Sequence, residues 1–304
     1  MIDFPEGLVS MVPSILMIAA PILIAATGGM ISEKAGVVNI ALEGLMAIGA
    51  MTAATSHRLL EGSIGFSIPL ALVLAALAGG LFSLIHAFAS ITLRADQVIS
   101  GTGINLLSTG LTVFFCQIIF HQERTEPFRL GMMPGKGGIY PTAWIALVLL
   151  AVSAFVLFKR PSGLRLRSCG EHPQAAASAG VNVLRIRYIA VLISGLLGGL
   201  AGACLVLTHT IQYTVNTING KGFIALAAVS FGRWLPLGVL GSSLLFGTSA
   251  ALAVYIINIE SLKFLPPEFF NALPYGITLA TLVFFSGKDY APRASGQPFD
   301  QGQR

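Results

Sequence analysis

Four stretches of this sequence, residues 8–30, 98–120, 188–208 and 234–257, contain no charged side chain, and a fifth, 35–55, contains only Glu43. A backbone in hydrocarbon must satisfy its own N–H and C=O groups, which restricts such stretches to helices or closed barrels. A helix crosses the bilayer core with about 20 apolar residues. Barrel strands alternate in polarity over about ten residues, whereas these runs are continuously apolar. The pattern predicts an all-α fold, a polytopic transmembrane helical bundle of about 8–10 membrane segments, broken or re-entrant helices among them.

Composition removes other classes. Only 10% of the 304 residues are charged and 55% are hydrophobic, whereas a soluble domain spends about 25% on charge. Cys116, Cys169 and Cys204 are too few and too scattered for a disulfide scaffold. The net charge of +5 belongs with loops flanking a membrane, where Lys and Arg collect on the cytoplasmic side. No nucleic-acid partner is expected. The opening "MIDFPEGL" has no basic leader and carries Asp3 and Glu6, so the first run reads as a retained span.

Interruptions mark the segments. They are Leu8–Met30, about Gly36–Thr55, Ile64–His86, about Val98–Phe120 and about Ala143–Phe158. Tyr188–Thr208, a short piece Gly222–Phe231, Pro236–Ile257 and about Phe270–Ser286 follow. The short piece cannot cross at a rise of 1.5 Å per residue. It predicts a re-entrant half-helix, or a helix broken at "GRWLP". Loop 159–187 holds Lys159, Arg160, Arg165, Arg167, Arg185 and Arg187 against Glu171 alone, which marks it as cytoplasmic. Five crossings back from it, the N-terminus lies outside. Residues 1–290 read as a single transmembrane domain and 291–304 as a polar flexible tail. The run "GLLGGLAG" at 195–202 predicts close helix packing, with hinges as a second use.

Little in the chain carries chemistry. No His or Cys pair has metal-ligand spacing. The stretch "GMMPGKGG" has only three residues between Gly131 and Gly135, and Gly137 stands where a phosphate-binding loop needs Ser or Thr. No catalytic residue, metal or bound cofactor is expected. Glu43 is the intramembrane oddity, with Asn39 one turn before it if both are helical. It reads as a helix lock, as part of a translocation path or as a proton-coupling group. Gln97, Ser100, Thr102 and Asn105 give the fourth segment a polar side. With Asn39 and Glu43 they are the candidate path residues, suited to a small neutral polar solute.

The blocks "EKAGVVNIALEGLMAIGA" (33–50), "RADQVISGTGINLLSTGL" (94–111), "CGEHPQAAASAGVNVLRIR" (169–187) and "GKGFIALAAVSFGRWLPLGVLGSSLLFG" (220–247) resemble the permeases of ABC importers in the ribose / branched-chain amino acid permease family. Within that family they are most like the nucleoside (simple-sugar-type) uptake permeases. The resemblance spans about residues 8–290. It implies a multi-pass protein of the bacterial cytoplasmic (inner) membrane that forms a path without an ATPase site of its own. It also implies three partners: a second permease subunit, a longer paralogue; an ABC ATP-binding protein that uses ATP and Mg; and an extracytoplasmic substrate-binding lipoprotein or periplasmic protein. A coupling helix is implied around Gly170–Val181, with Gly170, Glu171, His172, Pro173, Ala175, Ala176 and Gly180 contacting the ATPase. The family more often has Asn where this chain has His172. Pro173 suits a first helical turn and Gly180 a helix end. The same importer role for ribose or a galactoside, an ion-coupled transporter using Glu43, and a purely structural subunit are the competing readings.

Overall fold

The computed structural model of the chain describes residues 4–61, 66–257, 276 and 290–300. The expected last segment, about 270–286, lies outside the described residues except for Gly276. Among the described residues the regular elements are all helical. In chain order they are α1 (Phe4–Lys34), α2 (Leu42–Leu60), α3 (Ser67–Ala87) and α4 (Gln97–Phe120), then α5 (Pro141–Lys159), α6 (Pro161–Glu171) and α7 (Pro173–Ser178), then α8 (Val183–Leu205), α9 (Lys221–Phe231) and α10 (Pro236–Ile257). Single π turns, Phe88–Thr92 and Val206–Thr210, prolong α3 and α8. Among the described residues α1, α3, α4, α5, α8 and α10 are long and apolar enough to cross a membrane.

The chain is thus an all-α polytopic membrane bundle. α8 forms its centre, packed against α1, α2 and α3. In the apolar windows of α1 and α8, 72% of the residues are buried, against 22% in α4. The first two are therefore interior helices, and α4 lines the outside. Glycines set how closely α8 approaches its neighbours. A Cβ on Gly199 would strike the Ala75 carbonyl of α3, and one on Gly202 would strike the Met46 carbonyl of α2. The "GLLGGLAG" run is a packing seam of the kind small residues make in membranes.

Two departures from the sequence reading matter for the site. The second segment does not run helically from Gly36; α2 starts at Leu42, and residues 35–41 are an irregular link. Asn39 and Glu43 are consequently not one turn apart on a common helix face. Of the expected flexible tail 291–304, residues 291–300 are described, and they lie against the rest of the chain: the Ala294 N–H donates to the Gly170 carbonyl at 2.8 Å, and Phe299 is buried.

The bundle has two distinct ends. At one, Lys34 and Arg167 both lie over the Phe158 ring, and Arg94 pairs with Asp300. At the other, Arg58 pairs with Glu126 at 2.7 Å, and the Glu61 carboxylate accepts from the backbone N–H groups of Arg129 and Leu130.

Candidate functional site

The irregular link 35–41 exposes backbone groups that a helix would have satisfied, and in a membrane they require partners. They find them across the bundle. The Val38 N–H donates to Gln97 Oε1 at 2.7 Å, and the Val38 carbonyl lies 3.1 Å from His86 Nε2. Asn105 Nδ2 donates to the Ile40 carbonyl at 3.0 Å, while its Oδ1 accepts from the Gly44 N–H at 2.8 Å. α2 has no side-chain cap of its own, so Asn105 serves as that cap from α4. Ser100 reaches the link indirectly, 3.0 Å from His86 Nδ1. Asn39 Nδ2 donates to Ser194 Oγ at 2.8 Å.

Of the path candidates, therefore, Asn39, Gln97, Ser100 and Asn105 gather around the start of α2. Each is engaged with backbone or with another side chain. His86 and Ser194 belong to the same network, and the sequence reading missed both. A polar residue without a local motif has no periodic signal, and its role depends on a break elsewhere in the chain.

Glu43 has different partners. Its Oε1 accepts from the Gly220 N–H and its Oε2 from the Gly222 N–H, both at 2.7 Å. These donors belong to the N-terminus of α9, where helical N–H groups lack intrahelical acceptors and the helix dipole favours a negative charge. The carboxylate is thus held by two charge-assisted bonds rather than by Asn39. α9 is short, as expected, and a left-handed Gly220, φ +82°, opens it beside Glu43. At its far end the Trp234 indole N–H donates to the Glu33 carboxylate at 2.5 Å. Both ends of the half-helix are therefore tied to carboxylates from the 33–50 region. A Cβ on Gly222 would sit 2.5 Å from the Glu43 Cα, so only glycine permits this approach.

Thr102 stands apart from the other path candidates. It is exposed on the outer side of α4 with Gly103, Leu106, Thr109 and Gly110, and nothing lies within 4 Å of a Cβ built on either glycine. Positions seven apart share a helix face, so Thr102 and Thr109 form one stripe beside Gly103 and Gly110. This uncharged stripe lies on the least buried span of the bundle.

At the basic end, α6 and α7 meet at His172. Pro173 occupies the first turn of α7, and Gly180, φ +80°, follows its end. Of the residues expected to contact an ATPase, Gly170, Pro173 and Ala176 face inward. A Cβ on Gly170 would collide with the Lys34 carbonyl. Glu171, His172, Ala175 and Gly180 are exposed, joined by Gln174 and Ser178. The segment is anchored by one set of residues and displays another.

Known proteins resemble the chain along nearly its whole length. The guanosine ABC transporter permease protein NupQ of Bacillus subtilis is 43% identical over 318 residues, covering 99% of this chain and 100% of the relative. The nucleoside ABC transporter permease protein NupC of Lactococcus lactis is 40% identical, over 94% of this chain and 95% of the relative. A solved ABC transporter of metal-chelate type, in an inward-facing conformation, superposes with a TM-score of 0.54 over 93% of this chain and 90% of that one. Its 16% identity extends the likeness to the fold alone. The family model described as "Branched-chain amino acid transport system / permease component" matches residues 11–282, and the chain belongs to that family.

Proposed function

We propose that this chain is a membrane-spanning permease subunit of an ATP-driven ABC importer and provides the translocation path for a nucleoside. The observation that carries this reading is the likeness to NupQ and NupC along nearly the whole chain. Hydrolysis falls to a partner ATP-binding subunit using ATP and Mg, seated on the exposed residues Glu171, His172, Ala175 and Gly180. An extracytoplasmic substrate-binding protein delivers the solute at the opposite end, and a second permease completes the path.

The outer stripe of α4 is the part of the chain best suited to line that path. A nucleoside is neutral and rich in hydroxyls and ring nitrogens, so it needs hydrogen-bonding groups and room but no counter-charge. Thr102 and Thr109 supply hydroxyls, and Gly103 and Gly110 supply room. Glu43 and Asn105 act behind the stripe by holding α9 and the start of α2 in place.

The test uses proteoliposomes holding the chain with its partner permease, ATP-binding subunit and receptor. Gly103→Trp is expected to abolish ATP-driven uptake of labelled guanosine, while Val148→Trp on the exposed face of α5 leaves it intact. Thiol labelling of Thr102→Cys should be slowed by guanosine. If Gly103→Trp takes up guanosine at the wild-type rate, the stripe does not line the path.

A further inference from the structure

Residues 290–300 cross the basic end of the bundle as a strap, and their contacts fall on the parts that have to move together. The Ala294 N–H donates to the carbonyl of Gly170, at the junction of α6 and α7. The Phe299 ring is buried against Cys169, Ala176 and Val183, so it lies beneath α7. The Gln297 carbonyl accepts from Arg187 Nη1 at 2.9 Å, and the Nε of the same buried guanidinium donates to the Ala35 carbonyl at 3.2 Å, where the irregular link begins. The Asp300 carboxylate holds Arg94 through two bonds, 2.8 and 3.1 Å. Arg94 sits in the turn leading into α4, in a left-handed conformation with φ +56°. At the other end of the strap the Arg233 guanidinium lies 4.6 Å over the Tyr290 ring.

An open groove runs between the strap and Glu171, bordered by Tyr290, Pro292, Arg293 and Ser295. A subunit seated on Glu171 therefore meets the strap as well as α7. Among the described residues, α6 and α7 pack chiefly on α1, α5 and α8 rather than on α4. The strap supplies a direct connection, from Gly170 to Arg94. Its last link is partly exposed, with side-chain exposures of 52% for Arg94 and 31% for Asp300. Such a pair adds little to stability, but its two-pronged geometry fixes direction.

We infer that the C-terminal strap transmits displacement of the α6–α7 segment to the start of α4. Phe299 anchors it under α7, and Asp300 draws on Arg94. Both are positioning residues for transport, and neither touches the solute. The inference rests on the importer reading above.

The test measures guanosine uptake and ATP hydrolysis together in the complete proteoliposome assembly. Asp300→Arg is expected to leave insertion, assembly and the hydrolysis rate unchanged while lowering uptake per ATP by about tenfold, within the usual range of coupling between sites. The exchange Arg94→Asp with Asp300→Arg should restore it, and Phe299→Ala should uncouple in the same way. Wild-type uptake by Asp300→Arg, failure of the exchange to restore coupling, or parallel loss of hydrolysis and uptake would each overturn the strap's role. A wild-type assembly that hydrolyses ATP without taking up any solute would sink the importer reading, and the strap inference with it.

Discussion

A carboxylate survives in a membrane interior where fixed donors replace its water, and Glu43 has two such donors on the first turn of α9. This makes it a lock between two interrupted helices. Glu43→Gln keeps the shape but turns an amide donor toward one of the two N–H groups. The loss of a charged hydrogen bond typically costs 1.5–3 kcal/mol, roughly, and it should appear as a lower melting temperature of the purified chain. A proton-coupling role predicts something else: uptake by Glu43→Gln that no longer responds to pH. A variant that melts as the wild type does and has a flattened pH profile would refute the lock. Glu43 was legible in the sequence because a single charge interrupts an apolar run. Its partner was not, because Gly220 lies 177 positions downstream and contributes only a backbone N–H.

Helices were easier to find than the breaks within them. Pro173 and Gly180 marked α7 correctly because proline and glycine act on their own backbone. The short α9 was visible as the apolar piece Gly222–Phe231, which is too short to cross and matches Lys221–Phe231 closely. The link 35–41 was not visible, since "AGVVNIA" reads as the start of an apolar helix and its hydrogen-bond partners come from α3, α4 and α8. The strap was missed for a related reason: a Gly- and Pro-rich segment looks frayed when the groups that bind it, from the Gly170 carbonyl to Arg94 and Arg187, lie far away in the sequence. Asn105→Leu tests the logic of the break. It strands the Gly44 N–H and the Ile40 carbonyl, each worth about 1–3 kcal/mol when buried without a partner. Hydrogen exchange at 38–46 should rise sharply in Asn105→Leu and stay unchanged in Thr102→Leu, which faces outward. Equal protection in both variants would mean that α4 does not hold the link. The seam on α8 yields a second expectation at this scale. Gly202→Val drives side-chain atoms into the Met46 carbonyl, so the chain should insert but fail to give a monodisperse species in size-exclusion chromatography. Gly110→Val, with open space around it, should not affect folding.

Across the whole molecule the charges sort by end, and the sorting determines how the chain sits in the membrane. Lys34, Arg94, Arg167 and Arg187 lie at the end that carries α6, α7 and the strap. The Arg58–Glu126 pair and the Glu61 contacts lie at the other, where basic and acidic residues balance. An excess of Lys and Arg stays on the cytoplasmic side of a membrane, and this rule predicts α7 in the cytoplasm and loop 121–136 outside. Cys116, Cys169 and Cys204 are all buried, so single cysteines placed on the surface can be read against a low background. In intact cells an impermeant thiol reagent should label Glu123→Cys, in the loop after α4, and leave Ser178→Cys at the end of α7 unlabelled until the membrane is opened. Labelling of Ser178→Cys in intact cells would invert the molecule. It would put the exposed face of α7 out of reach of any ATP-binding subunit, leaving Glu171 and the strap with nothing to respond to.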